Sequence, residues 1–444
     1  MTSQTIHPVL GVGFGPANLS LAVALEERDR AGTAHFIERS TDFQWQREQL
    51  LSGADIQNNP FRDLAMPRNP ASPYTFVKYL ASQGSLTDYL HLNAKFPLRR
   101  EYAGYLTWVA DAFRKQVDYG RSAVGLSLVQ GEDGGEVFRV ETDDGGEYLG
   151  RTVSVGTGRS PRVPPAFQRS VGPRVFHSTR YLSSIERLGD RPPLRVVVVG
   201  ASQSAIEIIL DLLARPQVQQ VVSVHRTIGF RLKDTSPYSR RVFLPEFVDY
   251  FHPLSNAKKR RLRDDLRSVN YAACDQDVID RLAGAQREFE LTGSERLLMK
   301  PFSEVVVSRS EGQGQRLILR DVNHLTEETL DADVVVLATG FRDFGSEQGD
   351  EPYHPLLEGI AHRLPLDEDG VPVVARDYSI ELKSPADSPQ PLRVYLNGLC
   401  EASHGMGDAG ALAMLSVRAT DIADSLQRDL LRDHEELVAS GTSP

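Results

Sequence analysis

Residues 7–27, HPVLGVGFGPANLSLAVALEE, hold the first group able to bind a nucleotide. A short apolar strand turns on Gly11, Gly13 and Gly15, and a helix follows with apolar residues at Leu19, Leu21, Ala22 and Leu25. Glycines let the backbone approach a pyrophosphate, whose charge is met by the helix N-terminus. Pro16 occupies the place of the last glycine in the GxGxxG fingerprint, with Ala17 and Asn18 after it. A second strand, AHFIERS, then brings Glu38 to its end, 25 residues after Gly13. An acid there can take both hydroxyls of an adenosine ribose. The order strand, loop, helix, strand, acid outweighs the reading as a glycine-rich turn of some other α/β protein.

A second such unit lies at 193–213, PLRVVVVGASQSAIEIILDLL. Its apolar strand runs into Gly200, Ala201, Ser202, Gln203, Ser204 and Ala205, with Ser202 and Ala205 as small substitutes for the later glycines. The next strand, QQVVSVHRT, ends on His225 and Arg226, where an NAD site would carry an acid; a basic residue suits the extra phosphate of NADP. Neither loop continues into the lysine of a phosphate-binding P-loop, so the pair points to two dinucleotides, a flavin and a nicotinamide. DADVVVLATGFRD (331–343) and RTVSVGTGRSPRVP (151–164) read as strands ending in small-residue turns, where a chain crosses between interleaved domains.

The elements that carry these loops belong to a large chain. Its 444 residues exceed one hydrophobic core, so two or three domains are expected. Sixty acidic against 50 basic residues give a formal charge of −10, which argues against nucleic acid or an anionic membrane as partner. The start, MTSQTIHPVLGVG, has no basic region ahead of an apolar core, and no apolar run approaches the ~20 residues of a spanning helix. A cytoplasmic protein is expected, with Cys274 and Cys400 as two lone buried thiols rather than a redox pair. Clustered His/Cys, HExxH and GxSxG patterns are missing, so neither a metal nor a nucleophilic side chain is expected. Residues 246–285 read as helical, with Phe247, Tyr250, Phe251 and Leu254 on one face, and KKRRLR (258–263) as a solvated helix face.

With these pieces in order the chain resembles the flavin-dependent N-hydroxylating monooxygenases, the ornithine and lysine N-monooxygenases of siderophore biosynthesis. The resemblance covers nearly the whole chain. It is carried by GVGFGPANLSLA, FQWQ, IQNNPFRDLAMPRNPASPYTFVKYL, RREYAGYLTW, VFHSTRYL, GASQSAIE, DTSPYSRRVF, VNYAACDQDVI, LATGF and SHGMGDAG, in matching order and spacing. It implies an α/β protein with two Rossmann-like domains, for FAD and NADPH, and a smaller, mostly helical substrate region. The expected bounds are 1–163 and 341–444 for the FAD domain, 164–232 and 301–340 for the NADPH domain, and 233–300 for the substrate region. Dimers or tetramers are common in the family.

The implied reaction is NADPH reduction of FAD, capture of O2 as a C4a-hydroperoxyflavin, and transfer of one oxygen to a primary amine. The loop DIQNNPFRDLAMPRNP (55–70), broken by three prolines, then lies against the flavin, its irregular backbone free to bond a polar ring edge and Gln57 in contact with it. Further implied cofactor contacts are Trp45, Arg241, Thr339, Gly340 and His404, with Asn270 of VNY holding substrate and taking part in catalysis.

Several positions depart from the family pattern. Arg62 replaces the lysine that grips the amino-acid carboxylate, Arg240 an asparagine near the amine, and Arg241 its acidic neighbour. Valine precedes Asn270 in place of threonine, Ala413 stands for a serine, and Trp45-Gln46 for Trp-His. Arg62 could be a conservative replacement. Alternatively, Arg62 with Arg240 forms a cationic pocket for an amine bearing a phosphonate, phosphate or second carboxylate. In a third reading, Arg240 and Arg241 bind NADPH phosphates. The anionic amine is the leading expectation, with ornithine or lysine as the alternative and a non-catalytic flavin sensor behind both.

Overall fold

Val9, Leu10 and Val12 are buried on both sides of their strand, which is why the segment reads as a continuous apolar run rather than an alternating one. The structure, a computed structural model, describes residues 5–131, 134–189, 194–383 and 391–439. The expected domain bounds reach beyond these at both ends. Strand Ile6–Val12 lies between Ala34–Glu38 and Glu147–Val155, parallel to both, with Leu10 opposite His35 and Val153. The sheet continues through Val117–Tyr119 on one side and through Arg393–Leu396 and Ser379–Glu381 on the other. The chain therefore returns to its first sheet from residue 379 onward. A hairpin of Ala123–Gln130 and Glu136–Thr142 extends from Glu147–Val155.

The second sheet is wholly parallel, in the order Leu297–Lys300, Val218–Val224, Leu194–Val199, Val334–Leu337, Val175–His177. Helices Gln203–Ala214 and Gln276–Thr292 cover one face through Ile206, Ile209, Val278 and Leu282. An antiparallel sheet of Ser303–Glu311, Gly314–Asp321 and Glu327–Ala332 covers the other with Leu317 and Leu319. The architecture is α/β, with two dinucleotide-type sheets, the first parallel at its centre with antiparallel additions and the second wholly parallel.

Two local expectations change. Leu297–Lys300, set in the helical region by sequence, is an edge strand of the second sheet, and Gln276–Thr292 packs on that sheet; a four-residue apolar run has no period that distinguishes helix from strand. Residues 246–285 form three helices, Pro245–Phe251, Asn256–Asp265 and Gln276–Thr292, because Pro253 and the N-cap Ser255 break the first from the second. Tyr250 is 62 % exposed, and Val248 and Phe251 carry the buried face instead.

Candidate functional site

Gly13 has φ +82, and its N–H donates to Ile37 O at 2.9 Å. A Cβ there would sit 2.9 Å from Gly156 O, so the loop closes on the neighbouring strand only with glycine. Gly15 then caps helix Pro16–Glu26, with Pro16 in the first turn and the free N–H groups of that turn at the cleft. Glu38 accepts from Phe14 N at 2.8 Å and Ser40 N at 2.9 Å, which fixes its carboxylate on the cleft wall with lone pairs left for ribose hydroxyls. Gly11 lies back from the cleft, under the Phe36 ring.

Asn18 corrects an expectation. It is fully buried and donates to Gly13 O at 2.7 Å and Ser154 O at 3.2 Å, while its oxygen accepts from Ser154 Oγ and Asn397 Nδ2. With its amide bonded inward, it ties the loop to two strands and leaves nothing for a cofactor. Asn397 passes the connection on to Arg418, itself paired with Asp408 at 2.7 Å. No spacing in the sequence marks Arg418; Asp408 lies within SHGMGDAG.

The second loop is built the same way. Gly200, at φ +138, donates to Val224 O, and a Cβ would stand 2.2 Å from Ala338 O. Ser202, Gln203 and Ser204 head the helix and line the cleft, as do Thr339 and Gly340 where the chain crosses back. Arg226 is exposed on the same wall, with no acidic partner among the described residues. His225 is buried and bonded to Lys300 O, and burial lowers its pKa.

Both loops open on one cleft of about 2100 Å³, well above the ~300–1,000 Å³ of an ordinary ligand pocket. Gln57, Trp45, Arg240, Asn270 and Ala413 line it too. The loop carrying Gln57 is organised by its own side chains. Asp55 accepts from Gln57 N, Asn59 from Phe61 N, and the buried Asp63 from Ala65, Met66 and Phe76 N. Those amides are therefore not offered to a ring edge as expected; the loop reaches the cleft through Asp55, Ile56, Gln57 and Asn58.

Arg62 is half-buried just behind them, and both burial and the charge of Arg240 lower its pKa. Neither arginine has an acidic partner among the described residues, and the half-buried Lys233 lines the cleft nearby. Asn270 lines the cleft, and its Nδ2, buried against Gly410, has no hydrogen-bond partner among the described residues. Ala413 packs on Val242, Phe243 and Val269.

Arg241 and His404 lie off the cleft. Arg241 is exposed, one turn-residue beyond the side chain that faces inward. His404 is buried, stacked on Tyr378 at 4.1 Å and beside His252, and burial holds its pKa well below the usual range. Cys274 and Cys400 are free and buried. KKRRLR is only partly a solvated face: Lys259, Arg260 and Arg263 line the cleft, with Arg263 on Asp343 and Arg260 on Asp369.

One further cluster carries no sequence motif. Arg159 meets Asp343 at 2.7 Å, Tyr271 Oη at 3.1 Å and Glu401 at 3.5 Å, and Tyr271 Oη donates to Glu401. Burial pushes the Glu401 carboxyl up to about 7. Tyr271 follows Asn270 directly, and that adjacency was the available signal.

The family model for L-lysine 6-monooxygenase/L-ornithine 5-monooxygenase matches residues 5–343. The chain belongs to that family. An L-ornithine N(5)-monooxygenase of Burkholderia cepacia is 36 % identical over 91 % of each chain, and one of Pseudomonas aeruginosa 33 % identical over 96 % of this chain and 95 % of that one. Among solved structures, a Kutzneria ornithine N-hydroxylase with reduced FAD, NADP+ and L-ornithine aligns at a TM-score of 0.86. It is 31 % identical and covers 96 % of this chain and 99 % of its own. As a family member the chain is an NADPH-dependent flavin monooxygenase, with FAD and NADPH as cofactors. The two glycine cradles and the helix N-termini facing the cleft fit two dinucleotides. No helix among the described residues is long and apolar enough to cross a membrane.

Proposed function

We propose that the chain hydroxylates the side-chain amine of L-ornithine or L-lysine, supplying a hydroxylamine for siderophore assembly. The observation that carries the reading is Asn270, which lines a cleft shared by two nucleotide loops and whose Nδ2 has no hydrogen-bond partner among the described residues. The relatives' names support it, all those cited above being ornithine enzymes, whereas none of them acts by name on a phosphonate or dicarboxylate amine. The bound flavin supplies the activated oxygen.

The chain's own residues position and desolvate the amine. In this reading Arg62, half-buried behind the cleft lining, holds the amino-acid carboxylate with its planar fork. Asn270 offers its Oδ1 as an acceptor for an amine N–H. A free alkyl amine has a pKa of about 10.4, so roughly one in a thousand is neutral at pH 7. Arg62 and Arg240 disfavour a further cation beside them, and that bias favours the unprotonated amine.

A second reading rests on one observation: Arg62 and Arg240 repel each other and have no acid between them among the described residues. An amine with an extra anionic group would relieve that repulsion. Hydroxylamine formed per NADPH oxidised, measured with ornithine, lysine, diamines and aminoalkylphosphonates, decides between them. Coupled turnover of ornithine or lysine is expected. Coupled turnover of a phosphonate with both amino acids idle would reverse the assignment.

A further inference from the structure

Asp275 occupies the N-cap of helix Gln276–Thr292, with extended angles of φ −72 and ψ 151, yet makes no side-chain cap hydrogen bond. A capping aspartate usually accepts from the first helical amides. Here its carboxylate faces away from its own helix and accepts from Gln57 Nε2 at 2.8 Å. The residue is 7 % exposed. Its backbone N–H donates to Gln203 Oε1 at 3.0 Å, and Gln203 Nε2 donates to Glu207 at 3.0 Å. Asp275 therefore sits between the loop that carries Gln57 and the helix that heads the second nucleotide site.

Gln57 is held from two sides. Its backbone, at φ +51, is pinned by the bond from its N–H to Asp55, and its side chain by Asp275. A carboxylate only accepts, so it selects one of the two amide orientations: turning the carboxamide would set Oε1 against a carboxylate oxygen. The selected orientation leaves Oε1 without a protein donor among the described residues, on a side chain that lines the cleft.

We propose that Asp275 is a positioning residue for Gln57, fixing its amide so that an acceptor oxygen faces the cleft and recognises an N–H donor of a bound cofactor. Two cofactor groups carry such a donor, the reduced isoalloxazine ring and the nicotinamide carboxamide. The inference rests on FAD and NADPH occupying this cleft, and it is independent of which amine is hydroxylated.

The test uses FAD-loaded protein without amine and reads two quantities, the midpoint potential of the bound flavin and the Kd for NADP+. Asp275→Asn and Gln57→Ala should move the same quantity in the same direction. A potential that moves identifies the flavin N–H as the donor; an NADP+ affinity that falls about 3- to 10-fold identifies the nicotinamide. In the double variant, Asp275→Asn should add no more than about twofold to Gln57→Ala. A companion pair guards against a folding defect: Gln57→Glu sets two carboxylates face to face, and adding Asp275→Asn to it should recover most of the lost signal. Additive effects, a failure of that recovery, or unchanged readouts alongside a lowered melting temperature would each overturn the proposal.

Discussion

Arg99 and Glu207 form a buried bidentate ion pair, with bonds of 2.9 and 3.1 Å, between a helix packed on the first sheet and one packed on the second. Arg99 also donates to Gln49 O and Asp55 O, so one guanidinium joins the loops around residues 49 and 55 to the helix that begins at Gln203. The pair sets how the two nucleotide loops face each other across the cleft.

Removing one partner of that pair leaves an unpaired charge inside. Glu207→Ala is expected to destabilise the protein by about 3–5 kcal/mol. Arg99→Met in the same background should recover part of it. Urea unfolding of the single and double variants checks both expectations.

Gly200 cannot accept a side chain. With φ +138 and a Cβ that would stand 2.2 Å from Ala338 O, Gly200→Ala must displace backbone on the adjacent strand. A cost of about 3 kcal/mol or more is expected at this overpacked crossing. Flavin should stay bound while its reduction by NADPH slows sharply, which stopped-flow absorbance would register.

Arg226 has no acidic partner among the described residues and lies on the wall of the second nucleotide site. Arg226→Ala is expected to raise the KM for NADPH by about 10- to 100-fold, the worth of a charged hydrogen bond, with NADH little affected. Equal losses for both nucleotides would place the 2′-phosphate elsewhere.

Glu401 and Asp55 tie stability to pH. Burial raises the first to about 7 and the second to about 6, above the ordinary carboxyl range. A raised carboxyl pKa means the folded state binds more protons, so this contribution is full below about pH 4 and lost as pH rises through 6 and 7. Glu401→Gln keeps an acceptor for Tyr271 and removes the titration. Relative to the parent, it should gain up to about 3 kcal/mol between pH 4.5 and pH 8, as read from denaturant midpoints.

Much of the fold was legible because its signals are local. Glycine at 13 and 200 marks turns that only glycine can make, and a buried parallel strand such as Val196–Val199 shows as an unbroken apolar run. Glu38, Gln57, Arg240 and Asn270 could be placed at the cleft because each belongs to a strand end or loop of recognisable form. Asn18, His404 and Arg241 could not. A buried knot and a ligand contact use the same residue types, and only the surrounding strands show which way an amide or imidazole is directed.

By itself, the sequence determined two nucleotide sites, a flavin and a nicotinamide to fill them, and the family whose chemistry joins them. The tertiary structure decided which polar groups are left for ligands. Asn18 and Asn270 are both asparagines beside nucleotide-site residues, yet one has its amide enclosed by Ser154 and Asn397 while the other keeps an unbonded Nδ2. The physical reason is that a hydrogen bond depends on distance and direction, and residues 18 and 397 meet only when the chain returns to its first sheet.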